Sequence, residues 1–107
     1  MNKIVSLETA KKLEDIGWEK ETELMYNSNE EIVPVINERI GLSEYSKKYD
    51  YYAPDIPELL KDLKHQLFSI ETRDFAWRVL TDGVEKIEIS NIELVEALAE
   101  LYIKLNQ

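Results

Sequence analysis

The sequence predicts an α+β domain: a small antiparallel sheet built from hairpins, with about three helices packed on one face. Three observations predict it. Capped amphipathic helical stretches open, centre and close the chain, short alternating segments come in pairs around turn residues, and every connection is short. The order read from these signals is α-β-β-(β)-α-β-β-α. No repeat, low-complexity tract or linker-like stretch interrupts it, so residues 1–107 are expected to form one domain.

The first helix is expected over residues 7–16. Ser6 is a good N-cap, because its hydroxyl accepts from an unpaired N–H of the first turn. Glu8 suits the positive helix start, and Gly17 supplies the left-handed conformation that ends a helix. Val5 and Ala10 are placed for a hydrophobic staple. Leu7, Ala10, Leu13 and Ile16 share one face, onto which Trp18 folds back. In "ETELMYNSNEEIVPVINE", Leu24 and Tyr26 alternate with Glu23, Met25 and Asn27, the pattern of a half-buried strand. "NSNE" is turn chemistry, and Pro34 removes a ladder donor, so "EIVPVI" reads as an edge or irregular strand. "NERIGLSEYSKK" reads as a loop.

"YDYYAPDIPELLKDLKHQLF" raises the question of whether its tyrosines form a stacking platform or pack inside. "YDYY" reads as a brief strand sending Tyr49 and Tyr51 to one face and Tyr52 to the other. Pro54 ends it, Asp55 caps a helix, and Glu58 completes a capping box. Ile56, Leu59, Leu60, Leu63 and Leu67 then form an amphipathic stripe. In "RDFAWRVLTDGVEKIEI", Phe75, Trp77 and Val79 point one way along a strand. Asp82-Gly83 is the expected turn, and Val84 to Ile89 the return strand with Ile87 and Ile89 inward. Ser90 and Glu93 form an S-x-x-E capping box for the last helix.

Charge and composition exclude several functions. With 22 acidic against 13 basic residues the net charge is −9, spread over both halves of the chain. Direct nucleic-acid binding needs clustered Lys and Arg, and none is present. Zero cysteines remove disulfides, thiolate nucleophiles and Cys-ligated metals. No phosphate-cradling, zinc-protease or calcium-loop pattern occurs, and His65, the only histidine, has no triad-like setting. No catalytic, cofactor-binding or metal-binding residue is therefore expected. "MNKIVSLETAKKLEDIGW" lacks the apolar segment of a signal peptide, and no apolar run reaches membrane-spanning length, so a cytoplasmic protein without membrane contact is expected. The tyrosine stretch has only Lys47 and Lys48 as nearby cations, which favours core or edge packing over stacking on bases.

Three blocks together, "VSLETAKKLEDIGW", "YYAPDIPELLKDL" and "IELVEALAELYIKL", carry a resemblance. The chain resembles small uncharacterised proteins of bacteriophages, prophages and integrating elements. Those share an S-x-E-x-A-x-x-L-x-x-x-G opening, a Y-A-P-x-x-x-E-L centre and an A-L-A-x-L-x-x-K-L tail. The less aromatic stretch at residues 22–36 departs from that pattern. The resemblance implies a mobile-element origin and transfers no functional residue.

The expectation is thus a non-enzymatic accessory or protein-interaction protein of phage or prophage type. The alternative is an acidic DNA mimic that inhibits a host nucleic-acid-binding protein. The candidate interaction surface is Leu94, Leu101 and Leu105 on the last helix, with Tyr49, Tyr51 and Tyr52. Only Glu93, Glu96, Glu100 and Lys104 interrupt that helix's apolar run. Ile92, Val95, Ala99, Tyr102 and Ile103 are expected on the sheet. The three leucines either pack on the middle helix or form an exposed strip for a homodimer.

Overall fold

The computed structural model describes residues 3–18, 20, 22–35, 51–63, 66–81 and 87–107. Helix α1 runs Leu7–Asp15 and begins as its sequence dictates: the Ser6 side chain accepts from the Thr9 N–H. Gly17, with φ of +93°, turns the chain so that Trp18 N–H reaches back to the Leu13 carbonyl. Trp18 is buried and meets the ring of Tyr102 edge-on at 4.9 Å.

Strands β1 (Leu24–Tyr26), β2 (Ile32–Pro34) and β3 (Tyr51–Tyr52) form the first sheet, antiparallel in the order β2-β1-β3. Pro34 stands on an edge strand, where its missing N–H breaks no ladder. The β1–β2 turn closes with Glu30 N–H on the Asn27 carbonyl and Asn27 N–H on Glu31, while Asn27 Oδ1 accepts from Asn29 and Glu31. Glu30 takes the left-handed position this three-residue loop requires. Expected alternation fails at Met25, which is buried along with Tyr26. Met25 and Tyr26, successive residues, point to opposite faces of the central strand β1, so both faces are covered there.

Helix α2 (Ile56–Leu63) starts with the reciprocal box read from the sequence: Asp55 N–H donates to Glu58 and Glu58 N–H to Asp55, both at 2.9 Å. It stops at Leu63, so Leu67 does not extend its stripe. Leu67 opens β4 (Leu67–Arg73), which pairs antiparallel with β5 (Ala76–Thr81), itself paired with β6 (Glu88–Asn91). The fold is α+β, with two three-stranded antiparallel sheets where one was expected. The added strand is the reason: "LFSIETR" has the β-branched alternation of a strand but follows a leucine periodicity that masks it. Val79 and Ile89, register partners, fill the inner face of this sheet. On the outer face Arg78 makes ion pairs with Glu71, at 3.4 Å, and with Glu88.

Helix α3 (Leu94–Leu105) packs on β5, β6, α1 and α2. Ser90 does not cap it, because Ser90 lies in β6 opposite Arg78. Glu93 stands at the N-cap without a side-chain cap bond, and Asn91 orders the approach by accepting from Glu93 N–H and donating to Glu100. The expected Asp82-Gly83 turn, His65 and Tyr49 lie outside the described residues; Thr81 N–H donates to the Ile87 carbonyl at 3.1 Å and Ile87 N–H to the Thr81 hydroxyl at 2.9 Å.

A long-range polar contact joins α3 to the start of α1. Glu96 accepts from Ser6 N–H at 2.6 Å and from the Thr9 hydroxyl at 2.5 Å. Next to it, Tyr26 donates its hydroxyl proton to the Val5 carbonyl at 2.8 Å. Burial first, then the Glu96 carboxylate, raise the Tyr26 pKa above its ordinary 10.0. Glu96→Ala strips two acceptors from this junction and is expected to lower stability by about 1–3 kcal/mol in urea unfolding. Tyr26→Phe is expected to cost about 1–3 kcal/mol at neutral pH by orphaning the Val5 carbonyl. A raised folded-state pKa means the folded chain holds the tyrosine proton longer, so this stabilisation falls away as pH rises past the unfolded value. Melting curves at pH 7 and about pH 10.5 should therefore show the gap between wild type and Tyr26→Phe narrowing in alkali.

Candidate functional site

The α3 leucines do not form a surface. Leu94 is 9% exposed and Leu101 fully buried, both in the core that α3 shares with α2; Leu105 is half-buried against it. A helix packed on four elements at once needs this wide apolar arc for its own chain. Ile92 departs the other way: instead of lying on the sheet it precedes the helix and is 75% exposed. Tyr51 and Tyr52 are half-buried against the core, and Lys11 stands 5.7 Å over the Tyr51 ring. Tyr51 and Tyr52 thus pack at the sheet against the same core that takes the α3 leucines.

What the sequence did not flag is the tip of the β4–β5 hairpin. Arg73 pairs with Ala76, so Asp74 and Phe75 alone make the turn. Both have positive φ, +51° and +67°. This mirror-type turn favours Asn-Gly or Asp-Gly, and a bulky residue in its second position carries backbone strain. Phe75 was expected in a strand beside Trp77 and Val79; it is instead completely exposed. Neither packing nor backbone preference accounts for a phenylalanine here. Ile92 follows Asn91, whose register partner is Trp77, so the two exposed apolar side chains lie toward the same end of the sheet.

The recesses among the described residues include an apolar one and a polar one. An open groove of about 490 Å³ is lined by Ile4, Leu7, Leu24, Tyr26 and Ile32, with exposed Lys3 beside them; Ile32 is 52% exposed. A polar recess of about 360 Å³ lies between Trp18, Lys20, Glu58, Lys61 and Asp62. There Lys20 pairs with the nearly buried Asp62 carboxylate. Burial pushes the Glu58 carboxyl above its ordinary value, opposed by hydrogen bonds from the Asp55 and Glu23 backbone and helped by the Asp55 side chain. Glu58 accepts from the Glu23 and Asp55 N–H groups and Asp62 Oδ1 takes Lys20, while Asp62 Oδ2 is buried without a hydrogen-bond partner among the described residues. Among the described residues no group of three His, Cys, Asp or Glu side chains is placed to hold a metal ion, and no helix is long and apolar enough to cross a membrane.

No protein family matches this chain, and no curated protein or solved structure matches it either.

Phe75→Gly turns the hairpin tip into Asp-Gly and removes the strained side chain. It is expected to raise stability by about 0.5–1 kcal/mol in urea unfolding.

Proposed function

We propose that this protein is a non-catalytic accessory protein of phage or prophage type that acts by binding another protein, with Phe75 as its anchor. The observation that carries the reading is the pairing of full exposure with positive φ at Phe75. A side chain that costs stability and packs on nothing in its own chain is accounted for by a contact made elsewhere. Aromatic residues are the side chains most often found as interface anchors, because two torsions fix a large apolar area. Ile92 at the same end of the sheet enlarges the patch.

A protein partner fits better than nucleic acid. Asp74 adjoins the anchor, and Arg78, a cation of the neighbouring strand, is held between Glu71 and Glu88. The same arrangement disfavours the DNA mimic, which needs uninterrupted carboxylates at phosphate-like spacing. The binding role also replaces the homodimer through α3, whose Leu94 and Leu101 are spent on the core.

The test is affinity capture from bacterial lysate, with wild type and Phe75→Ala as baits at low and high salt. Specific partners retained by wild type and reduced at least tenfold with Phe75→Ala are expected. Equal capture by both baits would remove Phe75 from the reading, and turnover of a substrate by the purified chain would overturn the non-catalytic role.

A further inference from the structure

The polar recess beside α2 holds an acceptor that the described chain does not meet. Glu58, Lys61 and Asp62 stand at i, i+3 and i+4 on α2, so their side chains share the helix face that lines it. Trp18 and Lys20, from the segment after α1, complete the lining among the described residues. The Asp62 side chain is only 7% exposed. Its Oδ1 takes Lys20, yet Oδ2 has no hydrogen-bond partner among the described residues. A buried carboxylate oxygen left in that condition costs stability, which a donor brought by a ligand recovers. The second carboxylate is spent, since Glu58 accepts from the Glu23 and Asp55 N–H groups with one oxygen each. Lys61 is exposed and makes no ion pair among the described residues.

We infer that this recess binds a small zwitterion of the α-amino acid class, whose ammonium group donates to Asp62 Oδ2 and whose carboxylate meets Lys61. The balance of charge selects this ligand. Two lysines and two carboxylates line the recess among the described residues. A simple amine is therefore opposed by Lys20 and Lys61, and a simple anion by Glu58 and Asp62. A molecule carrying both charges close together matches the recess. Lys61 and Asp62 are consecutive on the helix, roughly 100° apart around its axis, near enough for one such molecule to engage the two of them. The indole of Trp18 offers an apolar wall to the ligand's side chain, and a recess of about 360 Å³ admits a body of that size. Lys20 is 62% exposed along a flexible stem, so it can shift to admit the ammonium group while Asp62 stays in place. So few ligand atoms give modest affinity, with Kd on the order of 1 mM. The site lies on α2 and the segment after α1 and is independent of the Phe75 tip.

The probe is L-leucine, with isoamylamine and isocaproate, which keep its side chain but carry only the ammonium or only the carboxylate. Two-dimensional amide NMR follows each titration. The Trp18 indole N–H, which donates to the Lys20 carbonyl at 2.9 Å, reports from the recess itself. Leucine is expected to shift that signal and the α2 amides saturably, and to bind at least tenfold more tightly than either analogue. Asp62→Asn, close in size to wild type, should weaken leucine at least tenfold. Lys61→Ala, at an exposed side chain, should weaken leucine at least threefold and leave isoamylamine unchanged. Spectra without ligand establish that the variants keep the wild-type fold; should Asp62→Asn unfold, the Lys61→Ala comparison decides. No saturable shift up to about 50 mM leucine, an analogue that binds as tightly as leucine, or a folded variant of either kind that binds leucine like wild type would each overturn the inference.

Discussion

The carboxylate of Glu96 holds the fold together at the point where the chain enters it. Residues 4–6 lie against several elements at once, with Val5 buried between them, and their backbone groups find partners there. Three separate elements supply them. Val5 N–H donates to the Pro54 carbonyl ahead of α2, Val5 C=O accepts from Tyr26 of β1, and Ser6 N–H is taken by Glu96 of α3. Ile4 bridges to Asp55. Without Glu96 the Ser6 N–H and the part-buried Thr9 hydroxyl would lose the acceptor that ties the start of α1 to α3. The position of α1 on α3 follows from this contact as much as from the buried Ala10 and Leu13.

Much of this was legible from residue order, and the failures have physical causes. Caps at Ser6 and at Asp55 with Glu58 are local: donor and acceptor lie within three residues, so spacing predicts them. The edge position of β2 follows from one proline. Glu96 was seen only as part of a polar stripe, because its partners are 87 and 90 residues away. Leu67 was lost because a leucine at the next helical repeat and one that opens a strand look alike when no Gly or Pro stands between them. Ser90 had a valid capping pattern, yet pairing with Arg78 claimed its backbone for the sheet.

The hairpin tip shows a different kind of illegibility. Sequence rules locate tight turns by the residues that suit them, and Asp-Phe does not suit this one. A turn was sought at Asp82-Gly83 for that reason. Where a local rule is broken and the surrounding ladder still enforces the geometry, the residue responsible is a candidate for a role beyond the fold. The candidate site was thus hidden for the same reason that it is interesting.

Strand β4 has one more consequence. Among the described residues it is hydrogen-bonded on one side only, so the second sheet ends in a seven-residue row of backbone donors and acceptors open to another strand. No proline or lysine lies in "LFSIETR" to blunt it. Glu71 and Arg73 place charge on it, and the surplus of carboxylates over the whole chain opposes the approach of copies at neutral pH. That shield is a colloidal one and vanishes toward the isoelectric point near 4.6, where uncharged molecules can meet edge to edge. The acidity of the chain therefore serves as its solubility device, and mild acid, well short of what unfolds a small domain, is the condition in which it would come out of solution.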